Sequence, residues 1–431
     1  MEGHIRPARN PNMVDDYFVA PSCLRRYHDG PLAPHIDGLT TFLHDRGYKR
    51  SSVRLVLGLV SRFNGYVAGA GVREASEICE ALVSRFLRRL LAKGRFRDAP
   101  RAMKHMLEYL RRAGVVGTVS INNGASAELG AELLKRYDQH LDAVCGLPVS
   151  TRQDYCRGAR RLLRWLQKRR RVRNLGGLRG SDVVAFITDL AAAYPSGSWR
   201  NRLTSQTRLF LRFLRWEGTL GVDLDRVVPK VPHWRLASIP RHLRWDHVRA
   251  LIRSIDVSTP SGLRDRVVLL LIAVLGMRGQ EVRTLRLSDI AWRSAEIHLP
   301  QTKSCRARVL PLPHVVGTAL TKYILHGRPR VNALQVILRH DAPIGPLSSP
   351  SAVGRIVTRS LRRARIASPA RPGTQLLRHS LATRLVDRGV PIKQIADLLG
   401  HRSINTTAIY SKVDLNRLAA VALPFPRRAS R

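Results

Sequence analysis

Three stretches decide how the chain is read: Gln375-Leu376-Leu377-Arg378-His379-Ser380, then Leu398-Leu399-Gly400-His401-Arg402-Ser403, then Thr406-Thr407-Ala408-Ile409-Tyr410. The first opens a helix, and the second ends one at a glycine. Two stretches upstream belong with them. Gly276-Met277-Arg278-Gly279-Gln280-Glu281 closes an apolar helix with an arginine held between glycines, and Gln301-Thr302-Lys303-Ser304 lies at the turn between two short strands. Each has a plain structural account when taken alone. Arg278 could form only an i,i+3 pair with Glu281, Lys303 could be a solvated turn lysine, and His401 could serve as a helix C-terminal cation. Tyr410 could be half-buried with a satisfied hydroxyl. Their common order is what makes them one constellation.

Outward from these stretches the second half reads as mainly helical with a small antiparallel sheet. Trp245 to Ile255 and Arg264 to Leu275 have helical spacing, the latter apolar enough to be buried all round. Glu296 to Pro300 and Ala307 to Leu312 read as strands, and helices resume near Val315, Ser351, Gln375 and Pro391. Upstream, Pro229, Pro232 and Pro240 break helix and mark a linker.

The first half contains an internal repeat. A turn at Gly47-Tyr48-Lys49-Arg50-Ser51-Ser52 leads into a helix through Phe63, a helix near Ile78 to Leu91, and a helix Arg101 to Arg112 closed by Gly114. The same course runs again: Leu134 to Val144, the turn Gly146-Leu147-Pro148-Val149-Ser150-Thr151, a helix through Leu166, one from Ser181 to Ala192, and one to Trp216 closed by Gly218. Serines are expected at the N-caps and glycines at the C-caps. Chance likeness between short helical bundles remains an alternative to duplication. The resulting division is a helical module at 1–125, a helical module at 126–227, a linker at 228–241, a mainly helical domain with the small sheet at 242–413 and a tail at 414–431.

Charge points to the partner. Lys plus Arg number 74 against 31 Asp plus Glu, a net charge of +43 over 431 residues. That excess exceeds what solubility needs and implies a polyanion, with nucleic acid first. It is dispersed along amphipathic helices rather than massed in a tail. Arg157, Arg160, Arg161 and Arg164 alternate with Leu162, Leu163 and Leu166, and Arg200, Arg202, Arg208 and Arg212 with Leu203, Phe210, Leu211 and Leu214. These arginines could merely solvate helix surfaces, but with few acidic partners they would repel one another, and a phosphate backbone would relieve that. The longest apolar run, Val267 to Leu275, is too short for a bilayer, and no apolar signal region follows Met1. Five cysteines without a close C-x-x-C pair argue against disulfides or a zinc ribbon. A reducing cytoplasm is the expected setting, without a membrane span.

The ordered set resembles the tyrosine recombinase family, the phage-integrase-like site-specific recombinases. Gly276, Arg278 and Glu281 match the family's Gly-x-Arg-x-x-Glu, Lys303 its hairpin lysine, Arg378-His379 the end of its His-x-x-Arg-His element, Leu399-Gly400-His401 its Leu-Gly-His, and Tyr410 its nucleophile. The resemblance is strong over about 240–425 and weaker over about 133–225, which looks like the family's SAM-like core-binding domain. It implies a multidomain clamp on DNA, strand cleavage and rejoining through a 3′-phosphotyrosyl ester, and no metal or other cofactor. It implies as well double-stranded DNA with inverted-repeat sites, a homo-tetramer on two sites, possible pairing with related recombinases, and a mobile element in a bacterial, nucleoid-associated setting. Arg278 and Arg378 would grip the non-bridging oxygens, Lys303 would protonate the departing 5′ oxygen, and His401 would hydrogen-bond the phosphate. Glu281 and His379 would support them.

One position departs from the pattern: Gln375 stands where the family has histidine. Glutamine can bond a phosphate oxygen but cannot carry a proton, so Gln375→His is expected to raise cleavage. His379, turned about 100° from Arg378 on the helix, is not expected to take over. Two rival readings stay open: a weakened DNA-binding partner of an active recombinase, and a type IB topoisomerase. Asp414 can cap a tail helix with apolar Leu415, Leu418, Ala419, Ala422 and Leu423, which packs on its own domain or, as the resemblance implies, on a neighbour.

Overall fold

A helix buried on every side anchors the second half. In the computed structural model, which describes residues 13–18, 21–91, 96, 98–116, 124–168, 175–194, 196–230, 240–300, 307–367, 372–401, 403, 406–407 and 409–410, every residue from Val267 to Ala273 is at most 2% exposed. By its contacts the chain forms two compact units: Met1–Ile78, Leu82–Gly117 and Ser238–Arg431 in one, Cys79–Ala81 and Thr118–Ala237 in the other.

The first unit begins with a helical bundle: α1 (Val14–Tyr17), α2 (Pro21–His28), α3 (Ile36–Asp45), α4 (Arg50–Ala68), α5 (Glu80–Leu91) and α6 (Ala99–Arg112). On α4, Val53, Val56, Leu57, Val60, Phe63 and Val67 recur at helical spacing and are buried against α6. Ala342 packs on this core, and the Ile344 N–H donates to the Arg46 carbonyl at 3.0 Å, so the bundle touches the C-terminal part of its own unit.

The second unit holds α7 (Gly124–Ala143), α8 (Val149–Lys168), α9 (Gly180–Ala193) and α10 (Gly197–Trp216) around Tyr137, Leu162, Phe186, Phe210, Phe213 and Leu214. The repeat has a structural counterpart: a 3₁₀ turn, Ala75–Glu77 or Leu175–Gly177, follows the second helix of each copy. Gly114 and Gly218 close the last helices at φ of 70° and 74°, the left-handed C-cap that glycine enters without strain. The serine caps are not observed. Lys49 is the N-cap of α4, Ser51, Ser52 and Ser150 lie inside their helices, and Ser196 caps α10 without a side-chain bond.

The rest of the first unit comprises α11 (Trp245–Arg253), α12 (Pro260–Ala273), α13 (Gly279–Thr284), β1 (Ile290–Ala291), β2 (Glu296–Leu299), β3 (Arg308–Pro311), α14 (His314–His326), β4 (Leu338–Arg339), β5 (Gly345–Pro346), α15 (Pro350–Arg363), α16 (Thr374–Asp387) and α17 (Ile392–Leu399). Thr259 caps α12, its Oγ1 accepting from the Gly262 N–H at 3.1 Å. Around α12 pack α11, α14, α15 and α16. The sheet is antiparallel in the order β1-β2-β3, with Leu299 opposite Arg308. Sequence reading found β2 and β3 but not β1 or the β4–β5 pair, which are two residues each and too short to show alternation. The Lys303 turn, much of the linker and the tail helix lie outside the described residues.

Candidate active site

The site is built where two glycine-assisted chain reversals meet. α12 ends before Gly276 at φ 62°, and α17 ends at Gly400, also at φ 62° in the left-handed region. Gly400 sits in the left-handed region that glycine enters without strain, and a Cβ there would meet the Arg308 guanidinium, which would have to shift.

Arg378 lies on α16 and is 2% exposed. Its guanidinium donates to the Gly276 carbonyl and, at 2.5 Å, to the Leu399 carbonyl, locking the ends of α12 and α17 around it. Arg278, at the start of α13, donates its backbone N–H to Glu281 at 2.7 Å, and its side chain reaches Glu281 at 3.4 Å and the Gly400 carbonyl at 3.3 Å. The i,i+3 pair therefore exists, and it orients Arg278 toward the site. A third guanidinium, Arg308 of β3, bonds Glu281 at 2.9 Å and the Leu399 carbonyl at 3.1 Å. Arg308 is not among the residues that the motif pattern picks out. The available signal was strand alternation, which places Arg308 on the inward face with Leu310, where an arginine needs a carboxylate.

Among the described residues, Arg278 and Arg308 bond the Glu281 carboxylate and Arg378 lies within reach of its charge, so these groups carry surplus positive charge suited to a phosphodiester. Burial, then repulsion by Arg278, lowers Arg378 to about 10, so it remains charged at neutral pH. Tyr410 is 1% exposed; burial pushes its hydroxyl up to about 12, against the pull of Arg378 and Arg278. Its Oη lies 2.6 Å from His379 Nδ1. The 100° offset turns His379 away from the carbonyls that hold Arg378, and Tyr410 approaches on that side. Burial and the Arg378 charge hold His379 at about 4, a neutral ring at working pH.

His401 Nδ1 lies 2.6 Å from the Thr407 hydroxyl, and burial plus Arg378 and Arg278 lower its pKa to about 3. Where that hydroxyl donates to Nδ1, the neutral ring carries its proton on Nε2 and can donate a further bond. Gln375 sits in the first turn of α16, exposed, with no side-chain hydrogen bond among the described residues. The structure therefore gathers Arg278, Glu281, Arg378, His379, His401 and Tyr410, adds Arg308, and leaves Gln375 exposed in the first turn of α16.

In the second unit, Arg157, Arg160, Arg161 and Arg164 are exposed on α8, and Arg202 and Arg212 on α10. Asp154 bonds Arg157 at 3.0 Å and Arg202 at 2.6 Å; despite burial, these bonds hold its carboxyl below the usual range. Arg200 bonds the Ala191 carbonyl at 3.1 Å, Arg208 the Val228 carbonyl at 3.0 Å, and Arg212 bonds Asp225 at 2.6 Å. Arg160, Arg161 and Arg164 have no acidic partner among the described residues, and Arg161 lies 5.9 Å above the Trp199 ring.

Comparison with known proteins matches residues 241–417 to the phage integrase family and residues 134–218 to the phage integrase N-terminal SAM-like domain. The protein y4rF of Sinorhizobium fredii, named as an integrase/recombinase, is 39% identical over 98% of this chain and 98% of its own. This chain belongs to the phage integrase family. It is thus an enzyme of the tyrosine recombinase class. The tyrosine recombinase XerD of Mycobacterium tuberculosis is 31% identical over 67% of this integrase and 95% of XerD. Among solved structures, the XerH site-specific recombinase bound to palindromic difH substrate shares the fold at a TM-score of 0.53 and 18% identity, covering 68% of this chain and 83% of XerH. A lambda integrase dimer bound to a COC′ core site does so at 0.50 and 17%, covering 69% and 99%. No described helix is long and apolar enough to cross a membrane.

Proposed function

We propose that this recombinase exchanges DNA strands at specific sites by attack of Tyr410 Oη on a phosphodiester held by Arg278 and Arg378. The bond from phosphorus to the 5′ oxygen breaks, a 3′-phosphotyrosyl ester forms, and Lys303 protonates the departing 5′ oxygen. A free 5′ hydroxyl then attacks the ester, transfers the strand and returns Tyr410. Because the ester conserves the broken bond, resealing needs no ATP. Catalysis is charge stabilisation and positioning: the guanidinium forks match the non-bridging oxygens, and His401 adds a hydrogen bond from Nε2. The observation that carries this reading is Tyr410 Oη placed beside the His379 imidazole in the field of Arg378 and Arg278.

The finer reading is a homo-tetramer on two inverted-repeat sites of a mobile element, in the bacterial nucleoid. Residues 126–227 bind the core site, chiefly through Arg157, Arg160, Arg161 and Arg164, and residues 1–125 supply a further DNA-binding module. The tail at 414–431 passes to a neighbouring protomer. Two marked duplexes carrying the DNA that flanks the gene test the proposal: strand exchange between them supports it, whereas relaxation of a supercoil without exchange would favour a topoisomerase. DNA binding without either would favour a weakened partner.

A further inference from the structure

Among the described residues, His379 is the one whose side chain hydrogen-bonds the attacking atom, at 2.6 Å, whereas Gln375 is exposed and bonds nothing. We propose that His379 is the catalytic base of strand cleavage, accepting the Tyr410 hydroxyl proton on Nδ1 while the Oη–phosphorus bond forms and returning it when the strand is resealed. The inference rests on Tyr410 being the nucleophile. In cleavage, one proton moves from Oη to Nδ1, the phosphorus–5′ oxygen bond breaks, and the 5′ oxygen takes a separate proton from Lys303. Resealing runs these transfers backwards.

The surroundings suit a transfer concerted with attack. Facing His379 are Arg378 on its own helix, His242 from the segment before α11, His401 beyond α17, and Tyr410. Burial, then Arg378 and His242, keep the ring neutral, hence able to accept a proton, but too weak a base to remove one from the resting phenol. Only as the oxygen bonds to phosphorus does the phenol become acidic enough, and the phosphate's negative charge then favours the imidazolium. The group that Gln375 lacks is thereby supplied one residue beyond Arg378, from the face that Tyr410 reaches.

The test is single-turnover cleavage of a nicked duplex carrying the bound site. In His379→Asn the side-chain Oδ1 can still accept the hydroxyl's hydrogen bond but cannot take the proton. Its rate is expected to fall about 10²-fold or more with DNA affinity unchanged. In His379→Gly, added imidazole should restore cleavage in proportion to its unprotonated form. Near-wild-type cleavage by His379→Asn would overturn the proposal, as would a DNA-binding His379→Gly protein that imidazole does not help. Tyr410→Phe separates the two claims: adducts formed by that variant would remove the nucleophile assignment itself, whereas active His379→Asn beside inert Tyr410→Phe removes only the base.

Discussion

Glu281 shows how much one side chain arranges. Its carboxylate takes the Arg278 backbone N–H, the Arg278 guanidinium and the Arg308 guanidinium, while Arg308 also holds the Leu399 carbonyl beside Gly400. Arg308 and Glu281 are 9% and 5% exposed at their side chains, and breaking a buried pair by removing one partner costs about 3–5 kcal/mol. Arg308→Ala should therefore lower the denaturant midpoint of unfolding and slow cleavage, while Arg160→Ala, exposed on α8, leaves the midpoint unchanged. Gly400→Ala should act in the same direction through the clash with Arg308. The motif residues Arg278, Glu281, Arg378, Gly400, His401 and Tyr410 were legible because their spacing is fixed along the chain. Arg308 was not, because a single inward arginine in a four-residue strand announces nothing until its carboxylate is located. The His379 contact was hidden for another reason: it joins residues 31 positions apart and depends on how the segment after α17 docks.

At the scale of elements, α8 presents a basic face over a buried apolar one, since Gly158, Ala159, Leu162, Leu163 and Leu166 are covered while Arg160, Arg161 and Arg164 are exposed. Neutralising these three arginines together should flatten the slope of log affinity against log salt by up to about 2.7, roughly 0.9 for each phosphate that is no longer paired. An unchanged slope in a salt titration would remove this face from the interface. Arg208 and Arg212 are tied to the Val228 carbonyl and Asp225 within their own unit, so their neutralisation should change the slope less. Helix order and the glycine stops were readable here because amphipathic period and left-handed C-caps are local properties. Serine capping was not, because the helices start at Arg50 and Val149, ahead of the serines.

Across the whole molecule, partly buried histidines set the response to acid. Burial lowers His340 and His379 to about 4 and His401 to about 3, and also lowers His105. Unfolded imidazoles titrate near 6.5, so between that value and the folded ones the unfolded chain binds more protons. Stability should then fall as pH drops from about 6.5 toward 4, with the histidine contribution to the loss complete below the folded values. Thermal unfolding at pH 7 and pH 5 measures this, with a lower Tm expected at pH 5. Bound DNA should shrink the difference, because phosphate charge favours protonation of His379 and His401 in the folded state.

The central claim is that Tyr410 carries the strand. The most direct measurement is to trap the covalent protein–DNA product on a nicked duplex of the bound site, digest it, and identify the modified peptide and both DNA ends by mass spectrometry. The account predicts one 3′-phosphate esterified to Tyr410, a free 5′ hydroxyl on the other strand end, and no such product from Tyr410→Phe. A phosphate on another residue, a 5′-linked adduct, or an adduct surviving in Tyr410→Phe would contradict it.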